Sequence, residues 1–246
     1  MFLRNWLPRL CLAGVVLLCA IDIATAQTKR ILLLHSFGPH FSPWNAISTR
    51  LREELRKQSP YPVDMYEQSL QGERFEEVPA ERPFLDYLQR LFEDRDLNLI
   101  VTVGAPAARF VLRNRLQFLR STPLLIAGAD ARTFSASELT ANDATVPVDI
   151  DPSLQINNIL QILPETTDIA VAIGDSPFER FWVTEIQRSF RRFENRITFH
   201  WLNKLPAEEM VKQVITLPPR SAVYYATVRM RGISVPRLTT RPALVR

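Results

Sequence analysis

The sequence predicts an α/β protein made of two lobes of parallel sheet flanked by helices, the second lobe incomplete. Three observations carry this reading. Short aliphatic runs without alternation, ILLLH, LNLIVTV and PLLIAG, suit strands covered on both faces. Segments with apolar residues at helical spacing follow such runs. Proline recurs where those segments begin, at Pro43, Pro106, Pro152, Pro177 and Pro206, in a first helical turn that has no use for the missing amide hydrogen. Such regular alternation implies right-handed crossovers between neighbouring strands.

Ahead of the fold stands MFLRNWLPRLCLAGVVLLCAIDIATA, with Arg4 and Arg9 before an apolar run and a small-x-small ending at Ala24-Thr25-Ala26. This is the pattern of a secretory signal cut before Gln27, and its apolar run is shorter than the ~20 residues that span a bilayer. Leu18 precedes Cys19 where a lipid-anchor signal requires a small residue, so no acylation is expected. A periplasmic location follows. Both cysteines, Cys11 and Cys19, fall in the signal, leaving the mature chain no thiol for a disulfide, a metal or a nucleophile. The sequence divides into a signal peptide (1–26), a first α/β lobe (27–148), a partial second lobe (149–228) and an irregular tail (229–246).

The elements can be justified in order. Residues 31–35 form a buried strand, and Trp44, Ile47, Leu51 and Leu55 make the apolar stripe of a helix whose other side is Arg50, Arg52, Glu53 and Glu54. A strand follows at 63–66, and a helix carries Phe84, Leu85, Leu88, Leu91 and Phe92. Residues 97–103 give a strand, Phe110 and Val111 lie on a helix, and 123–128 give another strand. After a connection rich in Ser, Thr, Ala and Asp, the run VPVDI reads as a strand opening a new set of units, with the crossing between lobes near Asp149. Ile156, Ile159, Leu160 and Leu163 predict a helix, 169–173 a strand, and Phe178, Phe181, Trp182, Ile186, Phe190 and Phe193 a helix opened by the capping box Ser176-Pro177-Phe178-Glu179. Strand, helix and strand follow at 197–201, 210–215 and 222–226.

Composition and motifs narrow the function. A formal charge of +4 is too modest to call for nucleic acid in an exported chain. The groups Arg109, Arg113, Arg115, Arg120 and Arg188, Arg191, Arg192, Arg196 have the spacing of solvated helix faces. The Gly174-Asp175-Ser176 triplet suggests a hydrolase only if a downstream Asp-x-x-His supplies the base, and Ile197 occupies the Asp position before His200. There is no Gly-x-Ser-x-Gly elbow, phosphate loop or His-Glu-x-x-His pair. His35 and His40 are too few, and without nearby carboxylates, to make a metal site, and His200 reads as structural. Neither catalysis nor a cofactor is expected.

In an open parallel sheet, ligands bind beyond the carboxyl ends of the strands, at helix N-termini. The turns in that position are His35-Ser36-Phe37, Gly104-Ala105-Pro106, Ala127-Gly128-Ala129-Asp130, Gly174-Asp175-Ser176 and Ala226-Thr227, with Phe37, Phe41, Trp44 and Phe178 close by. Small polar turns with a few aromatic faces suit a small organic solute, although Gly and Ser also serve tight turns for their own sake.

Taken in order, ILLLHSFGPHFSPWNAI, LNLIVTVGAPAARFV, PLLIAGAD, IAVAIGDSPFER and LPPRSAVYY resemble the exported solute-binding domains of the ABC-transporter substrate-binding type, most closely the version found as the extracytoplasmic sensor of bacterial histidine kinases. The resemblance implies two α/β lobes of the type 1 periplasmic binding fold that close on a solute in an interlobe cleft. It implies that Ser36, Phe37 and the start of the next helix belong to the first lobe's share of the site, with Gly104, Ala105 and Pro106, and that Asp175 and Ser176 belong to the second lobe's share. The implied role is uptake with an ABC permease or sensing with a histidine kinase. The alternative is a protein-interaction or sensor-partner module that no longer binds solute.

The chain departs from this family at its end. RMRGISVPRLTTRPALVR has no strand–helix repeat, which reads as a C-terminally shortened second lobe. An unfinished sheet exposes an edge at SAVYYATV, so either self-association or rapid amide exchange across 197–226, with 31–126 staying protected, is expected.

Overall fold

A computed structural model describes residues 27–70, 78–117 and 121–226. The signal, both cysteines and the tail at 229–246 lie outside the described residues. The chain falls into two compact units that part between Val148 and Asp149. Among the described residues, no helix is long and apolar enough to cross a membrane.

The first unit holds five parallel strands: β1 (Lys29–His35), β2 (Val63–Ser69), β3 (Leu99–Val103), β4 (Leu124–Asp130) and β5 (Asp143–Val148), in the order β2-β1-β3-β4-β5. Three helices connect them: α1 (Trp44–Gln58), α2 (Val78–Leu91) and α3 (Ala105–Asn114). Alternation along β1 sends Ile31 and Leu33 to one face, where with Val101 and Val103 they meet Trp44, Ile47, Leu51 and Leu55 of α1. Leu32 and Leu34 take the opposite face and are equally buried. Each such side chain contributes about 1.5–3 kcal/mol by leaving water, which is why β1 reads as an unbroken aliphatic run. Phe84 of α2 packs on Phe110 of α3 at 5.5 Å between ring centroids, joining the two helices.

The second unit holds β6 (Asp168–Ala172), β7 (Thr198–Trp201) and β8 (Ser221–Tyr225), all parallel, in the order β7-β6-β8. Ile169, Val171 and Ile173 are buried with Ile156 of α4 (Pro152–Ile162) and with Trp182, Val183, Ile186 and Phe190 of α5 (Pro177–Phe190). Ala170 and Ala172 are buried on the other face with Leu202 and with Met210 of α6 (Ala207–Ile215). Among the described residues, β8 pairs only with β6, and Val223 and Tyr225 stand exposed on it.

Two sequence expectations are corrected. The run VPVDI was expected to open the second lobe. The strand is instead Asp143–Val148, it pairs in parallel with β4, and it closes the first sheet. Its start is fixed by Asp143, whose carboxylate sits 2.7 Å from a terminal guanidinium nitrogen of buried Arg115 and accepts the Leu124 amide at 3.2 Å. Ala127-Gly128-Ala129-Asp130 was expected as a turn and is the end of β4, with Gly128 at φ 64°.

Two carboxylates at strand starts are held below the ordinary value of 3.8. Burial works to raise Asp143, but hydrogen bonds from the Thr140 amide and hydroxyl and the Arg115 guanidinium outweigh it. Asp168 is lowered chiefly by the His200 ring, 2.8 Å away, and by the Thr167 hydroxyl. A folded-state value below the unfolded one stabilises the protein at pH above the unfolded value, and that stabilisation is lost as pH falls through the folded values. Melting temperature is therefore expected to stay level on this account from pH 7 to about 5 and to fall below pH 4. An Asp143→Asn, Asp168→Asn double variant should show a flatter acid limb in the same scan. An acid limb as steep as that of the unaltered chain would dismiss these two groups as the cause.

Candidate functional site

The carboxyl ends of β1, β3 and β4 converge on one edge of the first sheet, because parallel strands finish together wherever their crossovers lie on the faces. The Ser36 amide donates to the Val103 carbonyl at 3.0 Å, and the Gly104 amide donates to the Ala127 carbonyl at 2.9 Å, so the three turns are stitched side by side. Seven of the expected site residues lie here: Ser36, Phe37, Phe41, Trp44, Gly104, Ala105 and Pro106.

Ser36 is fully buried and its hydroxyl accepts the Ala107 amide at 3.0 Å, in the first turn of α3. It does for α3 what an N-cap serine does, but from a different strand. The local N-cap, Gly104, has no side chain and could not: its φ is 87°, and a Cβ there would lie 2.7 Å from the Ser36 hydroxyl and 3.1 Å from the Trp44 indole nitrogen. Pro106 has no amide to offer. The amides at the mouth of α3 are thus largely taken up inside the protein.

Trp44 covers both glycines. Its indole N–H donates to the Gly128 carbonyl at 2.9 Å, and a Cβ on Gly128 would meet Ile47 at 2.6 Å and Trp44 at 3.3 Å. Phe37 and Phe41 lean on it, with ring centroids 5.4 and 5.8 Å from Trp44 and 4.8 Å from each other. Phe41 is 42% exposed and offers an open aromatic face at the edge. What this edge presents is a ring cluster on a rigid, internally bonded floor.

A carboxylate partner for buried His35 also emerges that the sequence reading missed. His35 is buried, and its Nε2 lies 2.5 Å from Glu67 Oε1, which also accepts from Arg52 of α1 at 2.5 Å. Parallel register places His35 opposite Ser69, two residues from Glu67, so the expectation that His35 lacks a carboxylate neighbour is corrected. The Ser69 hydroxyl donates to the Phe37 carbonyl, and the Leu70 amide to that of His35 at 2.8 Å. The end of β2 thereby holds the turn that carries Phe37. Asp130, at the end of β4, is buried and grips the Arg132 guanidinium through Nε at 2.8 Å and a terminal nitrogen at 2.7 Å.

The remaining two expected residues lie at the corresponding edge of the second unit, after β6. Ser176 caps α5 in a full capping box: its hydroxyl accepts the Glu179 amide at 3.3 Å, and its own amide donates to the Glu179 carboxylate at 2.8 Å. Gly174 leaves room for that buried carboxylate. Asp175 forms a wide, solvent-exposed pair with Arg180 at 3.5 Å. His200 bonds Asp168 at the opposite end of the strands, in keeping with a structural role. Among the described residues, no group of three or more His, Cys, Asp or Glu side chains is placed to hold a metal ion.

No protein-family model matches the chain, and no curated protein sequence matches it. Solved structures do. An ABC domain from Streptococcus pneumoniae in complex with L-Trp shares 13% identity at a TM-score of 0.56, over 79% of this chain and 64% of that one. A substrate-binding protein with adhesive properties from Clostridium difficile, in a ligand-free, open structure, shares 16% identity at 0.51, over 79% and 65%. A periplasmic sugar-binding protein of an ABC sugar transporter from Legionella pneumophila shares 12% at 0.54, over 81% and 71%. The chain spans less than two thirds of the length of the first two. With parallel sheets of five and three strands among the described residues, flanked by helices, the chain has the fold of the periplasmic substrate-binding proteins.

Proposed function

We propose that this chain is an exported, non-enzymatic solute-binding protein that recognises a small organic ligand, for uptake with an ABC permease or for sensing with a histidine kinase. The observation that carries the reading is the Phe37, Phe41 and Trp44 cluster at the carboxyl edge of the first sheet. That edge is where an open parallel sheet takes ligands, and the ring faces give an organic solute its contact area. The fold supports the reading, since its structural neighbours are binding proteins of ABC systems. Asp175, exposed at the second unit's edge, is the proposed polar contact there, with Ser176 serving to hold its turn.

The test is thermal unfolding of the mature chain with amino acids, sugars and aromatic acids at millimolar concentration. A ligand at 100 times its dissociation constant adds about 2.7 kcal/mol, which is on the order of 5–10 °C for a chain of this size. Phe41→Ala removes an exposed ring, so it should leave the unliganded melting temperature in place and abolish most of the ligand shift. A second reading, a protein-interaction module that no longer binds solute, draws on the internal commitment of the Ser36 hydroxyl and Trp44 indole N–H. It prevails if no solute class shifts the transition.

A further inference from the structure

On the second unit, α4 and the single turn of 3₁₀ helix at Arg191–Phe193 border an open groove of about 520 Å³, lined by Asn157, Leu160, Gln161, Arg192, Phe193, Asn195 and Arg196. Sequence spacing assigns these arginines to a solvated face, and both are exposed there, each held at one point by a hydrogen bond. Arg192 donates to the Ser153 hydroxyl and its guanidinium lies 5.0 Å from the centre of the Phe193 ring. Arg196 donates to the Pro164 carbonyl. Both anchors are neutral oxygens, and among the described residues neither arginine pairs with a carboxylate. Arg188, by contrast, is taken by Glu185 at 3.2 Å. No acidic side chain lines the groove, and Glu194 in the same turn stands outside its lining.

A guanidinium carries five N–H donors in a fixed fork, so each arginine keeps donors free after its single anchor. The lining therefore combines two fixed cations, three amide side chains and an apolar floor of Leu160 and Phe193. We propose that this groove docks a partner protein through an acidic segment, with two carboxylates meeting Arg192 and Arg196 and an apolar side chain between them resting on Leu160 and Phe193. Charge complementarity argues for this occupant. An isolated small anion would not be enclosed by so open a groove or use its apolar floor. Nucleic acid would need a broader basic field than a chain of formal charge +4 supplies.

The experiment measures fluorescence anisotropy of a labelled probe peptide, Glu-Leu-Glu-Asp-Leu-Glu, with the whole mature chain at 50 mM salt. A Gln/Asn version of the peptide and a single-stranded oligonucleotide serve as the other arms. Binding should be saturable, absent for the neutral peptide, and weakened roughly tenfold or more by an Arg192→Gln, Arg196→Gln double variant, as expected for charge-assisted hydrogen bonds. Arg188→Gln should leave it unchanged. If the double variant loses its fold, Asn157→Glu tests the same point by putting a negative charge on the α4 wall. The proposal is overturned if the acidic peptide does not bind, if it binds the variants as well as the unaltered chain, or if the oligonucleotide binds more tightly through the same arginines.

Discussion

Asp143→Ala is expected to lower the unfolding free energy by about 3–5 kcal/mol, the usual cost of removing one partner from a buried ion pair. The Asp143 side chain is wholly buried and that of Arg115 is 9% exposed, and they meet at 2.7 Å. The same carboxylate accepts the Thr140 amide at 2.7 Å and hydroxyl at 2.9 Å, and the Leu124 amide. Its removal leaves three donors and a cation without their acceptor. Arg115 retains one bond, to the Thr122 carbonyl at 3.1 Å, and its Nε and other terminal nitrogen have no hydrogen-bond partner among the described residues. Chemical denaturation checks the figure, which is a large share of the 5–15 kcal/mol typical of a whole domain. Because the loss comes from a stranded charge, Arg115→Met together with Asp143→Leu should recover much of it. A loss under 1 kcal/mol for Asp143→Ala would mean that water reaches the pair.

That ion pair also explains where the sequence stopped being legible. β1, β3, β4 and β6 were readable because both of their faces are covered, which requires unbroken aliphatic runs. β5 lies at the sheet edge and none of its apolar residues is buried, so its sequence, DATVPV, carries no such signal. It is placed by pairing with β4 and by an arginine 28 positions earlier, neither of which a local pattern records. The capping box at Ser176 is the opposite case, since its two bonds join residues three apart.

The candidate site divides in the same way. That Ser36, Gly104 and their neighbours share an edge followed from strand–turn–helix order. How their polar atoms are used did not, because Ser36 to Ala107 spans 71 positions, Trp44 to Gly128 spans 84, and His35 to Glu67 spans 32. Each depends on strand order and register. The polar atoms of Ser36 and Trp44 are thus taken up by the protein itself, and Phe41 is exposed.

The same geometry sets the expected result for Gly104→Val. At φ 87° a β-branched residue is strained by about 1–3 kcal/mol, and its Cβ would press on the Ser36 hydroxyl and the Trp44 indole, adding about 1–3 kcal/mol of overpacking. Neither neighbour can yield cheaply. Moving Ser36 uncaps the Ala107 amide of α3, and moving Trp44 breaks its bond to Gly128 and disturbs its ring contacts with Phe37 and Phe41. The melting temperature should fall by on the order of 10 °C, while far-ultraviolet dichroism at low temperature stays close to that of the unaltered chain. Any solute-induced shift should vanish with it, because the floor beneath the rings has moved. Comparison with Phe41→Ala separates the two effects, since that variant should lose the shift and keep the stability. If Gly104→Val melts at the unaltered temperature, the turn relaxes around the new side chain and the interlock of Ser36, Trp44 and Gly104 is not what fixes this edge.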